Sequence, residues 1–147
     1  MSTETDCIFC QIINGQAPAE IIYKDEQVIG FMDIHPVMPG HTLVIPTHHT
    51  PDLAGLPDEF ASHLMVVAKR LAQTLRLSEV KCEAVNLFLA DGEAARQSVF
   101  HTHLHIIPRF KGDGYGLRLH GLGGSGSSEP ISEQANLIRE ALERLDE

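Results

Sequence analysis

The stretch Val99-Phe100-His101-Thr102-His103-Leu104-His105-Ile106-Ile107-Pro108 places three histidines at alternating positions. In a β-strand, residues two positions apart project from the same face of the sheet. We therefore expect the three imidazoles on one face, and Thr102, Leu104 and Ile106 on the other. The β-branched and aromatic neighbours favour a strand, and Pro108 is expected to end it.

Three imidazoles on one half-buried face are difficult to explain by stability alone, because buried polar groups need hydrogen-bond partners. Imidazole suits nucleophilic, acid–base and metal chemistry near neutral pH. A purely structural set of histidines is the alternative, but the regular spacing favours a functional one. The stretch therefore predicts a reactive or metal-binding site.

Length, composition and charge restrict the class of protein. The 147 residues suffice for one domain, and 43% hydrophobic and 21% charged residues are ordinary values for a globular chain. The net charge of −9 argues against nucleic acid and anionic membranes as partners, although a small phosphorylated ligand is still allowed. No apolar run approaches the ~20 residues of a membrane span, and the acidic N-terminus lacks a signal-peptide pattern. With three cysteines, a reducing, cytoplasmic setting is expected.

Hydrophobic patterns along the chain predict an α+β fold. A short apolar turn or helix is expected at 7–14, a long amphipathic helix at 57–77 and a second helix at about 130–145. Four strands are expected besides the histidine stretch: 21–25, 27–32, 41–46 and 84–90. Short turns between paired strands favour an antiparallel sheet over βαβ repeats.

Residues 109–128 contain seven glycines and are expected to form a loop. Within them, 121–126 matches the pattern G-x-G-x-x-G, but the dinucleotide fingerprint requires a strand before it and a helix directly after it. A flexible Gly/Ser loop is therefore expected there. Because no repeat or interdomain linker is evident, residues 1–147 are predicted to form a single domain.

Several motifs occur together in one order. Residues 101–107 fit the pattern His-φ-His-φ-His-φ-φ, where φ is apolar and Thr102 is the softest match. The accompanying segments are Cys7-Ile8-Phe9-Cys10-Gln11-Ile12-Ile13, Asp33-Ile34, Pro39-Gly40-His41-Thr42-Leu43-Val44-Ile45-Pro46 and Gln97-Ser98. Over about residues 6–110 the chain resembles the histidine triad (HIT) family. The resemblance implies a HIT-like α+β fold with an antiparallel five-stranded sheet, one long helix and a C-terminal loop and helix at 111–147, usually in a homodimer.

The resemblance also implies hydrolysis or transfer at the α-phosphate of a nucleotide. Family substrates include nucleoside phosphoramidates, acyl-nucleotides and dinucleoside polyphosphates, so a purine nucleotide or nucleotide conjugate is the expected ligand. His103 would attack phosphorus and form a nucleotidyl-histidine intermediate. The chemistry agrees, since neutral imidazole is a good nucleophile and a fair leaving group. A nucleotide-binding regulatory module with little catalysis is the alternative.

Further roles follow from the same resemblance and from the chemistry of the side chains. His105 and Ser98 would donate to phosphoryl oxygens, and Gln97 would hold the phosphate or the leaving group. Asp33 would accept from the ribose hydroxyls, with a simple turn aspartate as the alternative. His41 would orient a triad imidazole. Three apolar residues would form a slot for the base, or else pack in the core: Phe9, Ile12 and Ile22.

Two positions depart from the family pattern. Ala90 stands where many relatives have Asn or Gln, which removes an amide contact beside the phosphates. Arg96 stands where glycine is usual, and there it either adds a cation or narrows the site. Both differences leave the substrate preference open, whereas the assignment of the nucleophile does not depend on them.

A metal site is predicted beside the catalytic one. Cys7 and Cys10 have C-x-x-C spacing, which in a reducing compartment is more typical of a metal or redox site than of a disulfide. Tetrahedral zinc needs two further ligands. The resemblance implies His49 and His101 for a structural zinc, with His48 as the open alternative to His49. Free thiols and a catalytic zinc on the three triad histidines are the competing hypotheses.

Overall fold

The computed structural model describes residues 6–116 and 129–146, and the predicted loop at 121–126 lies outside them. The helices are α1 (Ile8–Ile13), α2 (Asp58–Leu77) and α3 (Ile131–Leu145), with a 3₁₀ turn at Glu93–Ala95. The strands are β1 (Ile21–Lys24), β2 (Val28–Met32), β3 (Thr42–Pro46), β4 (Ala84–Phe88) and β5 (Leu104–Arg109).

In the described residues the strands form one antiparallel sheet of five strands, in the order β1-β2-β3-β5-β4. This confirms the predicted α+β class and the antiparallel five-stranded sheet. β5 lies between β3 and β4, so the histidine stretch leads into the interior of the sheet and not to an edge. The site that the histidines build therefore rests on strands paired from both sides.

Two hydrophobic clusters cover the opposite faces of this sheet. Val44 belongs to the cluster under α2 and its neighbour Ile45 to the cluster under α1, as the alternation of a strand requires. Leu104 pairs with Val44 and packs on the α2 face, whereas His105 pairs with Leu43 and shares the α1 face. Within β5, this confirms the predicted separation of His105 from Leu104 and Ile106.

The long helix packs where its sequence pattern predicts. Leu64, Val67, Leu71 and Leu75 are buried at i, i+3 and i+4 spacing and face the sheet. Acidic residues in the first turn and a basic residue in the last agree with the helix dipole. At Gly30 on β2, an added Cβ would lie 2.9 Å from Leu71 Cδ1, so glycine allows α2 to approach the sheet.

The strand that carries the triad begins later and ends later than predicted. His101 and His103 precede β5, and Pro108 lies inside it. The prediction that Pro108 ends the strand is wrong. β3 pairs with β5 only as far as Ile106, so the amide proton that proline lacks is not needed by a ladder on that side.

α3 belongs to the second of two compact units, Met1–Tyr115 and Gly116–Glu147. It begins after Pro130, whose fixed backbone angle suits a helix start. Its exposed apolar side chains include Ile138 and Leu142. A single domain over 1–147 stays a prediction. Among the helices of the described ranges, none combines the length and the apolar character that crossing a bilayer requires.

Candidate active site

A cavity of about 410 Å³ lies on the α1 face of the sheet. Its volume is in the range of small-ligand sites. Its lining brings together six of the residues predicted for the site: Phe9, Ile12, Asp33, Ser98, His103 and His105. Ile22, the third residue predicted for the base slot, lies on the edge strand β1 outside this lining and is about half exposed.

His103 is only 3% exposed and its protonation is set by the main chain. Its Nδ1 lies 2.8 Å from the backbone carbonyl oxygen of His101, which can only accept a hydrogen bond. Nδ1 therefore carries the proton, and Nε2 keeps its lone pair. Burial lowers the pKa of His103, although the hydrogen bond to His101 opposes the shift. A neutral ring with a free Nε2 has the form that a nucleophile needs.

His41 and His105 form a hydrogen-bonded pair whose direction is fixed by the loop before β3. The backbone N–H of Val37 donates to His41 Nδ1 at 3.2 Å, so the proton of this ring is on Nε2. His41 Nε2 then donates to His105 Nδ1 at 2.9 Å, which leaves the proton of His105 on its own Nε2. The structure thus brings His41 against a triad imidazole, where it holds one tautomer of that ring.

Both histidines of this pair are neutral near pH 7. Burial lowers the pKa of His41, and the neighbouring carboxylate of Asp33 opposes the shift. Burial, with the neighbouring rings of His103 and His41, lowers the pKa of His105 to about 4. His105 can therefore donate a hydrogen bond through Nε2 without carrying a positive charge.

Asp33 lines the cavity and also shapes its own loop. Oδ1 accepts from the backbone N–H of His35 at 2.8 Å, which is an Asx-turn contact. Oδ2 lies 3.5 Å from Nε2 of His41. A carboxylate offers about four acceptor positions, so the turn contact is compatible with a second contact to a ligand hydroxyl.

Asp33, His41 and His105 lie close enough to one another to suggest a metal site, with ligand atoms within 4.8 Å. The hydrogen bonds argue against it. To bind a metal, His41 Nε2 needs a lone pair, so the proton of the ring would have to be on Nδ1. A proton on Nδ1 would then face the backbone N–H of Val37, and the hydrogen bond between them would be lost. These three residues therefore fit a hydrogen-bond network that fixes the tautomer of His105 better than they fit a metal site.

Gln97 is buried, and the chain itself occupies its amide. Oε1 accepts from the backbone N–H of Gly92 at 2.8 Å, and Nε2 donates to the carbonyls of Pro51 at 2.7 Å and Val99 at 3.0 Å. The structure does not bring Gln97 into the cavity lining, although the next residue, Ser98, is part of it. In the structure the Gln97 side chain positions the loop that leads to the triad.

Four potential metal ligands converge beside the cavity: Cys7, Cys10, His49 and His101. Cys7 Sγ lies 3.4 Å and Cys10 Sγ 3.6 Å from Nδ1 of His101, and the Nδ1 atoms of the two histidines are 3.2 Å apart. A tetrahedral zinc ion with nitrogen and sulfur ligands separates them by roughly 3.3–3.7 Å. Both the donor set and its spacing fit zinc.

The second nitrogen of His101 supports the same interpretation. Nε2 lies 2.8 Å from the carbonyl oxygen of Pro46 and must donate to it, so Nδ1 faces the sulfurs with a lone pair. His101 is fully buried, and burial lowers its pKa to about 4. His48, the alternative to His49, packs its ring on Phe60 and is not part of this cluster.

Some contacts of the site had no signal in the sequence. The ring of Phe88 on β4 packs edge-on against His105 at 5.7 Å between centroids. A second group of contacts without a sequence signal is not part of the site. There, Asp25 accepts from the hydroxyl of Tyr23 at 2.6 Å and lies 2.6 Å from Nε2 of His63 on α2. Only the β4–β5 pairing and the helix packing bring these residues together.

Comparison with known proteins gives consistent matches. Residues 14–112 match the family model described as the HIT domain. An uncharacterized HIT-like protein of Borreliella burgdorferi is 44% identical over 114 residues, which cover 77% of this chain and 82% of that protein. A Candida albicans protein named adenosine 5'-monophosphoramidase is 31% identical over 149 residues, covering 99% and 97%. A solved zinc-bound histidine triad family protein from Mycobacterium smegmatis is similar with a TM-score of 0.75 and 40% identity, over 98% of both chains.

Proposed function

Because the chain belongs to the histidine triad family, we propose that it hydrolyses or transfers a nucleotide at its α-phosphate, with His103 as the nucleophile. The observation that carries this proposal is the 2.8 Å contact that keeps the proton of His103 on Nδ1 and leaves Nε2 free beside a ligand-sized cavity. The proposed ligand is a purine nucleotide or a nucleotide conjugate. The name of the Candida albicans relative makes a phosphoramidate the first substrate class to test.

In the first step, Nε2 of His103 attacks the α-phosphorus as the bond to the leaving group breaks. The electron pair of that bond stays with the leaving group, which takes up a proton from solvent as it departs, and the ring of His103 becomes cationic because Nδ1 keeps its proton. His105, through Nε2–H, and the hydroxyl of Ser98 donate to the phosphoryl oxygens, where negative charge increases. The product of this step is a nucleotidyl-His103 intermediate.

In the second step, a water molecule attacks the same phosphorus and loses a proton, while the bond from phosphorus to Nε2 breaks. The nucleoside monophosphate leaves and His103 returns to its neutral form. An alcohol or another acceptor in place of water would give transfer instead of hydrolysis. The hydrogen bond from Nδ1 to the His101 carbonyl holds the ring in one orientation through both steps.

The remaining residues bind and orient the substrate. Phe9 and Ile12 form apolar walls that suit a purine base, and Asp33 accepts from the ribose hydroxyls. His41 donates to Nδ1 of His105 and so keeps the proton of that ring on Nε2. Gln97 acts on the site through the loop that carries Ser98, which replaces the direct phosphate contact that the sequence predicted.

We propose a structural zinc in the cluster of Cys7, Cys10, His49 and His101. Support comes from the ligand spacing and from the zinc-bound relative of Mycobacterium smegmatis. When bound, zinc supplies a cross-link between α1 and the histidine stretch. His103 and His105 are not among these four ligands, so this arrangement supports the structural site over a catalytic zinc on the triad.

The test of the function uses adenosine 5'-phosphoramidate with the wild-type protein and His103→Asn. Mass spectrometry of the reaction, quenched in cold alkali because the phosphorus–nitrogen bond is acid-labile, should find an adenylyl adduct on His103. The substitution should lower kcat by at least about 10³-fold because the nucleophile is gone. Calorimetry should show that it still binds AMP. Full turnover by His103→Asn contradicts the proposal, and AMP binding without turnover by the wild type favours the regulatory module.

A further inference from the structure

Arg96 has an unusual backbone conformation. Among the described residues it is the single non-glycine residue with positive φ, at φ 65° and ψ 37°. This left-handed region crowds the Cβ of ordinary residues, and glycine adopts it without that cost. Strain of this kind persists where the surrounding structure enforces it, often at functional sites. The backbone conformation of Arg96 is therefore consistent with a functional role for its side chain.

Hydrogen bonds hold the loop that presents Arg96. The backbone N–H of Arg96 donates to the carbonyl of Glu93 at 2.9 Å and closes the 3₁₀ turn. Gly92 donates to Gln97 Oε1 at 2.8 Å and accepts from the Gln97 backbone N–H at 3.2 Å. The backbone of Arg96 is thus fixed two residues before Ser98, which lines the cavity.

Arg96 is close in the chain to Ser98, although it is not itself part of the cavity lining. Two residues span at most about 7 Å of chain, and the long arginine side chain covers a comparable distance. Arg96 is exposed, and its side chain forms no hydrogen bond or ion pair with another described residue. Its side chain is therefore available to a ligand.

Positively charged residues are scarce near the cavity lining in the described part of the chain. In the described part of the chain, no other Lys or Arg lies within two positions of a residue that lines the cavity. Asp33 contributes a carboxyl group to the lining, and His105 carries no positive charge near pH 7 because burial lowers its pKa to about 4. The whole chain carries a net charge of −9. A ligand with an additional negative charge would need a local cation, and Arg96 is placed to provide it.

The geometry of the reaction decides which part of the substrate Arg96 would meet. In-line displacement places the leaving group opposite the attacking atom. His103 is almost fully buried, whereas Ser98 is exposed at the mouth of the cavity. A leaving group opposite His103 is therefore expected on the open side of the cavity, where the exposed lining residues lie, and Ser98, two residues after Arg96, is one of them.

We propose that Arg96 is a specificity-determining residue that favours nucleotide substrates whose leaving group is anionic, through a carboxylate or a further phosphate. Guanidinium binds both groups through paired N–H donors, which lysine reproduces only in charge. The inference rests on the proposed function and adds the chemical class of the leaving group. Nothing in it requires Arg96 to contact the reacting atoms.

The experiment compares three substrates with the same adenylate: the phosphoramidates of AMP with ethylamine and with β-alanine, and diadenosine triphosphate. They present a neutral, a carboxylate and a phosphate leaving group. Arg96→Gln should lower kcat/KM for one or both anionic substrates by about three- to tenfold, the range of a partly exposed ion pair. The ethylamine substrate should change by less than about twofold. Arg96→Lys should keep part of the preference because it keeps the charge.

Arg76→Gln is the matched control, because it removes an exposed arginine from α2 on the opposite face of the sheet. It should leave all three substrates unchanged. Equal ratios of anionic to neutral substrate in wild type and Arg96→Gln overturn the inference, and so does an equal loss in Arg76→Gln. A loss with the β-alanine phosphoramidate would identify a carboxylate as the group that Arg96 binds, and a loss with diadenosine triphosphate would identify a phosphate.

A failure of the proposed function would be visible separately. If the wild-type protein turns over none of the three substrates, calorimetric binding of ADP and AMP decides the inference instead. Arg96→Gln should weaken the binding of ADP by about three- to tenfold and leave AMP nearly unchanged, since only ADP has a phosphate at the leaving-group position. An unchanged preference for ADP over AMP overturns the inference.

Discussion

At the scale of single residues, main-chain atoms decide which nitrogens of the site carry protons. The carbonyl of His101 holds the proton of His103 on Nδ1, and the amide of Val37 holds the proton of His41 on Nε2. Each tautomer then fixes the donor or acceptor character of the opposite nitrogen. A backbone shift in the loop at 33–41 would therefore change the chemistry of His105 without touching that residue.

Substitution of His105 should reduce the acid sensitivity of folding. Burial lowers the pKa of His105 to about 4 from an ordinary value of 6.5. Between these pH values the unfolded chain binds a proton that the native chain excludes, so the free energy of unfolding decreases as the pH falls through this window. His105→Gln should remove up to one proton from this dependence, at most about 1.4 kcal/mol per pH unit.

Urea denaturation at pH steps from 7.5 to 4, with a chelator present throughout, measures this slope. His35→Gln is the control, because His35 is exposed in the loop after Asp33. Its slope should match that of the wild type. A slope that is unchanged in His105→Gln, or equally reduced in both variants, contradicts the prediction.

Residue identities in the site were more predictable than their contacts. Motif order pointed to Asp33, Ser98 and His105, and the structure gathers all three around the cavity. Gln97 was expected to contact the ligand, but its amide is bonded to Pro51, 46 residues away in the chain. A contact that depends on chain folding over such a distance has no local pattern in the sequence.

At the scale of elements, α1 depends on its surroundings. Its six residues are too few for an isolated helix to be stable in water. Apolar packing on the sheet and the cysteine–histidine cluster hold it, and Cys7 contacts His101 across 94 positions of the chain. Phe9 lies between the two cysteines and packs edge-on against His103, at 5.1 Å between centroids. Loss of the proposed zinc should thus disturb a wall of the cavity.

Cys7→Ser and Cys10→Ser should each lose stoichiometric zinc and lower the Tm by more than about 5 °C, because a ligand bound only by the native state is removed. Elemental analysis of the purified protein measures the metal, and calorimetry measures the Tm. Cys82→Ser is the control, because Cys82 is the third cysteine and lies outside the cluster. It should keep both values.

Zinc retained at one equivalent in both serine variants contradicts the assigned ligands. The catalytic-zinc hypothesis makes a different prediction: a chelator would stop turnover at once, and Cys7→Ser and Cys10→Ser would keep their zinc because the ligands are the three triad histidines. A structural zinc instead predicts that activity and Tm decline together.

The elements were predictable where one pattern dominates. The stripe from Leu64 to Leu75 and the charged ends of α2 agree with each other, and the helix bounds differ from prediction by one residue. Proline is a local end signal, so the predicted end of β5 falls too early, and β5 also begins later than the sequence from Val99 onward predicts. The pairing of β5 with β3 stops at Ile106, before Pro108, because β3 has no residue paired beyond that point. Strand ends are decided by partners that the local sequence does not contain.

At the scale of the whole molecule, exposed apolar side chains support the expected homodimer. β4 is an edge strand and exposes Leu87 and Phe88, and α2 exposes Met65 and Val66. Open edges and apolar patches are typical of surfaces that pair with another chain. Light scattering after gel filtration should therefore give about 32 kDa, twice the 16.2 kDa of one chain.

Leu87→Lys should shift this mass toward one chain at micromolar concentration, because a charge is placed at the proposed interface. Ile21→Lys is the matched control, with similar exposure on the opposite edge strand β1. A wild-type protein that is monomeric, or a mass that falls only in Ile21→Lys, contradicts this surface.

The oxygen that fixes the proton of His103 belongs to the peptide backbone, so every amino acid at position 101 carries it. Over evolutionary time, a lineage can therefore exchange the ring proposed to bind zinc for another side chain and still inherit the proposed nucleophile in the same tautomer. Dependence on a trace element and the capacity for phosphorus chemistry are separable traits in this architecture, although two positions of one short stretch encode them.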